Sequence, residues 1–467
     1  MATLSFWGGT GTVTGSKYLI ESDGGKVLVD CGLFQGLKEL REKNWEDPPF
    51  DVKGLDAVVI THAHIDHTGY LPRLVALGFD NPVYCSGGTA DLLKLLLPDS
   101  GRLQEEEAEY RNRKNLTRHN PALPLYTEQD ARAALKLLRP QENRGEAVEV
   151  GGGMRASFTI AGHILGSSLV LMEVEGAGTD GKGRRVLFSG DLGHYDQPII
   201  RDPDPPPACD YLLVESTYGD RLHDAEDPKV ALARVINEAA ERGGPILFPA
   251  FAIGRTQELV YHIRELEEEG RIPVLPVRVD SPMAASATQI YHRIREEHDE
   301  EYAALMKKNR HPLRTRSMLT ASTREESKRL NEERGTRIII SASGMMTGGR
   351  VLHHARRVLP DERATVIFVG YQAAGTTGRR ILEGEPEVRI MKEQVPVRCH
   401  VVKIGGLSAH ADWKEVLRWL EPMTEAPRRS FTTHGEPEAA AAMADRIRER
   451  YGWRVDAPSY GDRVELD

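Results

Sequence analysis

Short apolar runs separated by glycine-rich turns fill the N-terminal part of the chain. Lys17–Ile20 and Lys26–Asp30 flank Asp23-Gly24-Gly25, the pattern of a β-hairpin. Asp56–Ile60 reads as a short buried strand and Pro82–Cys85 as another. Helices are expected over Thr89–Leu97 and over 127–138, the second with Thr127 as its N-cap. Residues 100–119 between them, including Arg118 and His119, are polar and read as a solvated helical insertion. Met154–Ile160 then alternates apolar and polar positions, and Leu169–Val174 and Arg185–Phe188 extend a β-rich stretch.

From Thr217 the period changes. Helical patterns at 230–242, 256–269, 284–297 and 298–308 interleave with apolar runs at 245–249, 274–279, 337–341 and 364–369. Such alternation predicts a second domain built on a parallel sheet. Short strands return near Arg398, and Arg429–Thr433 ends in His434-Gly435-Glu436-Pro437. The α/β block is therefore read as an insertion at 211–395, with 1–210 and 396–467 forming one domain around it.

Composition narrows the setting. A chain of 467 residues is long enough for two domains. Its four cysteines, Cys31, Cys85, Cys209 and Cys399, are scattered without a CxxC pair. That argues against a disulfide framework or cysteine-based zinc site and for a reducing compartment. The N-terminus has no signal-peptide pattern and no apolar run could span a bilayer, so a cytoplasmic protein without membrane contact is expected. The net charge, 61 − 70 = −9, argues against a broad basic face for nucleic acid. A local exception is Met306–Ser317, where Lys307, Lys308, Arg310, Arg314 and Arg316 occur with no acid.

The densest chemistry follows the Asp56–Ile60 strand. In Thr61-His62-Ala63-His64-Ile65-Asp66-His67, three histidines and an aspartate crowd a loop at a strand's C-terminal end, where α/β folds place sites. Such donors suit zinc or a similar divalent ion, and four of them exceed what one metal with an open position needs. Burying them together is costly unless they bind something.

His62-Ala63-His64-Ile65-Asp66-His67 resembles the HxHxDH signature of the metallo-β-lactamase superfamily. Asp30, at a strand end, resembles its first motif, and His163 and Asp191 its third and fourth. Glu215-Ser216-Thr217-Tyr218, His410 and His434 resemble motifs A, B and C of the β-CASP nucleases within it, which include homologues of the pre-mRNA 3′-end cleavage endonuclease. Phe251–Glu258 and Ser341–Met346 also look like blocks of that family. The resemblance covers nearly the whole chain. It implies an α/β fold: an αββα metallo-β-lactamase sandwich with an inserted parallel-sheet β-CASP domain.

The same resemblance implies a two-zinc ribonuclease that hydrolyses RNA phosphodiester bonds with a metal-bridging hydroxide. His62, His64 and His163 would hold one metal, Asp66, His67 and His434 the other, and Asp191 would bridge them. Asp30 would support the histidines by hydrogen bonds. Asp66, His410 and Glu215 would be the catalytic residues, His410 as general acid oriented by Glu215. Motif C is a histidine in the RNA-acting branch, so single-stranded RNA is the expected partner. An endonuclease of RNA processing or decay is favoured over a 5′–3′ exonuclease, and a homodimer is left open. Arg255, Ser343, Gly344, Lys307 and Arg310 are candidate phosphate contacts, whereas His353, His354 and His400 read as structural. The alternatives are a superfamily hydrolase of a thioester or lactone and a non-catalytic RNA-binding scaffold. The retained ligand set weighs against the scaffold.

Overall fold

The computed structural model describes residues 2–114, 116, 121–308 and 311–467. They divide into two compact units, one of residues up to 195, 202–222 and 410–467, the other of 196–201 and 223–409.

The first unit is a sandwich of two seven-stranded sheets. One sheet runs Arg463–Glu465, Ala2–Phe6, Tyr18–Ser22, Gly25–Val29, Ala57–Val59, Val83–Ser86, Leu138–Gln141. The other runs Val455–Asp456, Arg429–Thr433, Tyr211–Glu215, Arg184–Phe188, Ser168–Val174, Met154–Ile160, Val148–Gly151. The expected hairpin is present, with Ser22 paired to Gly25. Leu4, Phe6, Ile20, Val27 and Val59 of one sheet meet Ala156, Phe158, Val170, Phe188 and Phe431 of the other in one buried core. The strict burial alternation of Met154–Ile160 follows, because every second side chain enters that core.

Helices cover the outer faces. Trp413–Leu420 and Pro437–Tyr451 bury Val416, Trp419, Met443 and Ile447 on Leu169, Leu187, Leu212 and Val214 of the second sheet. Gly87–Arg113 packs on Val83–Ser86 and Leu138–Gln141 of the first. The layering is αββα. Gly87–Arg113 is one helix through the buried Pro98, so the expected break after Leu97 does not occur. Thr127 caps Glu128–Leu135 in a capping box with Asp130.

The second unit carries a six-stranded sheet in the order Met318–Thr320, Val277–Asp280, Ile338–Ser341, Ile246–Pro249, Thr365–Phe368, His400–Lys403. All its pairings are parallel. Its inner strands Ile246–Pro249, Ile338–Ser341 and Thr365–Phe368 are buried at every position, as a sheet covered on both faces requires. The unit's limits lie inside those read from the sequence at one end and beyond them at the other. Tyr211–Glu215 hydrogen-bonds between Arg184–Phe188 and Arg429–Thr433 of the sandwich, and His400–Lys403 is an edge strand of the parallel sheet. Among the described residues no helix is long and apolar enough to cross a membrane.

Candidate metal centre

All nine residues named for metal and catalysis lie in the first unit, most on loops, with Asp66 and His67 in the short helix Ile65–Thr68 and Glu215 at the end of the strand Tyr211–Glu215. The strand Ala57–Val59 delivers Thr61, whose amide and hydroxyl both donate to the Asp30 carboxylate, at 2.8 Å to Oδ1 and 2.9 Å to Oδ2. His67 Nδ1 reaches the same carboxylate at 2.7 Å. Asp30 thus fixes which ring nitrogen of His67 carries hydrogen and leaves Nε2 facing inward. The hydroxyl of Ser167 accepts the His163 amide at 2.9 Å. Asp191 arrives after Ser189-Gly190, where Gly190 has φ +54° and a Cβ would stand 2.8 Å from Thr61 Cβ. Glycine is required there to bring Asp191 against the histidine loop. His434 closes the group in a left-handed conformation, φ 50°, its amide donating to the Gly9 carbonyl at 2.6 Å.

Two groups of donors result. His62, His64, His163 and Asp191 offer atoms within 4.8 Å of one another, and so do Asp66, His67, Asp191 and His434. In the first, His62 Nε2 lies 3.1 Å from His64 Nδ1, and His64 Nδ1 lies 3.2 Å from His163 Nε2. Asp191 Oδ2 stands 3.4 Å from His62 Nε2 and 3.5 Å from His163 Nε2. In the second, Asp191 Oδ1 stands 3.1 Å from His67 Nε2 and 3.3 Å from His434 Nδ1, and His434 Nε2 is 3.4 Å from Asp66 Oδ2. Asp191 presents one oxygen to each group.

These spacings fit metal ions. Ligands about 2.0–2.1 Å from a tetrahedral zinc stand roughly 3.3–3.4 Å from one another. The buried His67 Nε2 and Asp191 Oδ1, although close, form no hydrogen bond with each other or with any other described group. Donor atoms that converge without bonding one another are arranged around a cation.

The electrostatics agree. Burial pushes His62 down to about 3 and His64 to about 4, and holds His163 well below the ordinary range, so these imidazoles are neutral, the form that binds a metal. Burial works against ionised Asp191, but the imidazoles of His434, His67 and His62 draw it well below the usual carboxylate range. Asp66 is lowered in the same way, burial being outweighed by its hydrogen bond from His434. His67 is raised well above normal, since Asp191 and Asp30 overcome its burial. The carboxylate charge that favours a proton on His67 would equally favour a metal ion in its place.

Beside the cluster, His410 Nδ1 sits 3.1 Å from Glu215 Oε2 and 3.2 Å from Oε1. Glu215 is buried, and its Oε1 also accepts the Leu192 amide at 2.6 Å. Burial alone would lower His410, but the Glu215 charge and hydrogen bond lift it to about 9. The side chain keeps 17% exposure, so a proton on it can reach a ligand.

The five candidate phosphate contacts belong to the second unit, apart from Arg310, which lies outside the described residues with Arg118 and His119. Arg255 is buried, its guanidinium paired with Glu258. Ser343 Oγ accepts the Thr347 amide at 3.0 Å, Gly344 packs against Phe251, and Lys307 is exposed at a helix end. Two contributors had no signal of their own in the sequence. Thr61 links Asp30 to His62 Nδ1, and Thr217 Oγ1 lies 3.1 Å from His434 Nδ1. Both directly adjoin motif residues, which is the clue that could have found them.

A sandwich with this donor set at its strand ends is the architecture of a metal-dependent hydrolase. Residues 10–237 match the metallo-beta-lactamase superfamily, 256–381 the Beta-Casp domain, and 394–458 the Zn-dependent metallo-hydrolase RNA specificity domain. The chain is 36% identical to Ribonuclease TTHA0252 of Thermus thermophilus over 98% of its own length and 99% of the relative's. It is 29% identical to the transcription termination factor FttA of Methanocaldococcus jannaschii, over 99% of this chain and 71% of that one. The FttA of Pyrococcus abyssi is 30% identical over 98% and 70% of the two chains. A solved protein of unknown function from Enterococcus faecalis shares the fold, with a TM-score of 0.53 at 14% identity over the full length of both. The chain belongs to the β-CASP family of the metallo-β-lactamase superfamily, and its His/Asp cluster is a metal-binding site.

Proposed function

We propose that the protein is a two-zinc ribonuclease that cuts single-stranded RNA internally, in the cytoplasm, as part of RNA processing or decay. The observation that carries this is the double donor set around Asp191 with the His410–Glu215 pair beside it. The similarity to a ribonuclease along the whole chain supports RNA as the polymer.

His62, His64 and His163 would hold one zinc, Asp66, His67 and His434 the other, with Asp191 shared. Bound zinc supplies Lewis acidity, making water nucleophilic at neutral pH and stabilising charge on a phosphodiester. The protein's own residues do the rest. Asp30 and Thr61 hold His67 and His62 in orientation. Glu215 keeps His410 protonated and aims it, so that His410 gives its proton to the departing oxygen of the cleaved bond.

Metal analysis with end-labelled RNA, DNA and thioester substrates tests the reading. The expected result is two zinc ions per chain, internal cuts in RNA, slower cutting of DNA of the same sequence, and loss of activity on chelation. Hydrolysis of a thioester or lactone with RNA left intact would overturn it. Trimming from the 5′ end alone would replace the internal mode by an exonuclease.

A further inference from the structure

The inserted unit holds a group of cations that the metal chemistry does not use. The helix Glu300–Lys307 ends in Lys307 and Lys308, and the chain returns through His311–Arg316 to the strand Met318–Thr320. The helix Arg255–Glu268 anchors this return. Arg264 Nε donates to the Pro312 carbonyl at 3.1 Å, and the Arg316 amide donates to Glu267 Oε2 at 3.0 Å. Leu313 and Thr315 are buried, so the residues alternating with them, Arg314 and Arg316, stand outward.

Together they shape an open pocket of about 360 Å³, lined by Arg264, Glu267 and Glu268 from the helix and His311, Arg314, Thr315 and Arg316 from the loop. Arg264 is only 6% exposed and spans to Glu268 at 2.8 Å through Nη1. Its Nη2, 3.9 Å from Glu265 Oε1, the Thr315 hydroxyl and Glu267 Oε1 are buried and form no hydrogen bond among the described residues. Buried donors without acceptors are costly, and an anion at the pocket would relieve them after a small side-chain shift. Glu267 opposes an anion least when neutral, and burial pushes its carboxyl up, against the Arg316 amide that draws it down.

The charge count also points outward. Elsewhere in this unit Arg278 pairs with Glu333, Arg356 with Glu393 and Arg380 with Glu385. Lys307, Lys308, Arg314 and Arg316 form no ion pair with a described residue. On a chain of net charge −9, four cations without an ion pair in one stretch of sequence that holds no acid are a local reversal of sign, although Glu267, on the helix beside them, offsets part of the Arg316 charge. One small anion would need one or two of them, whereas a row suits a polyanion.

We infer that this pocket, through Arg314 and Arg316, binds the phosphodiester backbone of single-stranded RNA, an anchoring site additional to the metal centre. The inference rests on RNA being the substrate. A mononucleotide offers the same phosphate chemistry, and the test separates the two. The experiment uses the zinc-loaded full chain carrying His410→Ala, so that RNA stays intact, with and without Arg314→Ala and Arg316→Ala together. Both arginines are exposed, and unchanged thermal melting verifies the fold. Binding of fluorescein-labelled single-stranded RNA is followed across a potassium chloride series. The double variant should flatten the slope of log affinity against log salt by about 1.4, two contacts at roughly 0.7 each, and weaken binding about tenfold at low salt. An unchanged slope and affinity would overturn the site. Adenosine monophosphate binding that the double variant abolishes, with the RNA slope unchanged, would also overturn it in favour of a mononucleotide pocket. Cleavage by the unaltered chain is scored separately. If RNA is not cut but the slope still flattens, the pocket stands and the ribonuclease reading falls.

Discussion

Each unit buries an aspartate among histidine and hydroxyl groups, and the two clusters behave in opposite ways. In the parallel-sheet unit Asp280 accepts from Ser327 at 2.6 Å, from His354 Nε2 at 2.7 Å and from Arg350 at 2.8 Å. Donors and acceptors match there, and the guanidinium supplies the positive charge. In the sandwich Asp191 meets imidazole nitrogens of His62, His67, His163 and His434 at 3.1–3.5 Å, and among the described residues no arginine or lysine pairs with it. What separates a metal site from a structural knot is therefore the surplus of lone pairs, not the presence of histidine and aspartate.

The sharpest way to break the contrast is Asp191→Ala. It removes the carboxylate shared by both donor groups, and metal content should fall from two toward zero with activity down at least about 10⁴-fold, beyond the loss of a single stabilising contact. Full activity with two zinc ions in that variant would refute the assignment.

His410→Ala should keep both metals and lower kcat by about 10²–10⁴-fold, the usual contribution of a positioned acid. The protonated form is the active one, so the rate should fall as pH rises through the His410 pKa, which stands at about 9 before any cation binds nearby. Bound zinc pushes that limb lower, and Glu215→Gln should move it lower still. A pH profile unchanged by Glu215→Gln would remove Glu215 from this role.

His434→Ala takes one ligand from the second group only. A loss of about a hundredfold, with one metal weakened, is expected from zinc titration and cleavage rates. Asp280→Asn is the control from the other cluster. Metal content and rate should stay within about twofold, while stability drops by about 3 kcal/mol, as for breaking a buried pair. Asp280 is held below the ordinary carboxylate range, burial being outweighed by the hydrogen bonds of His354, Ser327 and Arg350. Its stabilisation is present above its unfolded pKa and is lost as pH falls through the folded one, so Asp280→Asn should flatten acid unfolding.

The sequence was most legible where chemistry is local. His62 to His67 are neighbours in the chain, and their crowding alone implied a metal. His163, Asp191, Glu215, His410 and His434 are scattered, and only the family resemblance connected them, because sheet pairing rather than spacing brings them together. The buried strands of the parallel sheet were plain as continuous apolar runs. Met318–Thr320 was not, since an edge strand with half-exposed residues has neither an apolar run nor alternation. The helix through Pro98 hid for a different reason. Proline at a buried position is excused by packing that its local propensity cannot reveal.

The place of Arg429–Thr433 in its sheet has a consequence for biosynthesis. This strand lies between Tyr211–Glu215 and Val455–Asp456, and it carries His434 at its end. A nascent chain still on the ribosome has an open sheet edge at Tyr211–Glu215 and lacks His434, one of its seven donor residues, until that strand emerges. It can gather His62, His64, His163 and Asp191 but not the second group. A nuclease built this way keeps its second donor group incomplete until that strand has been made and paired.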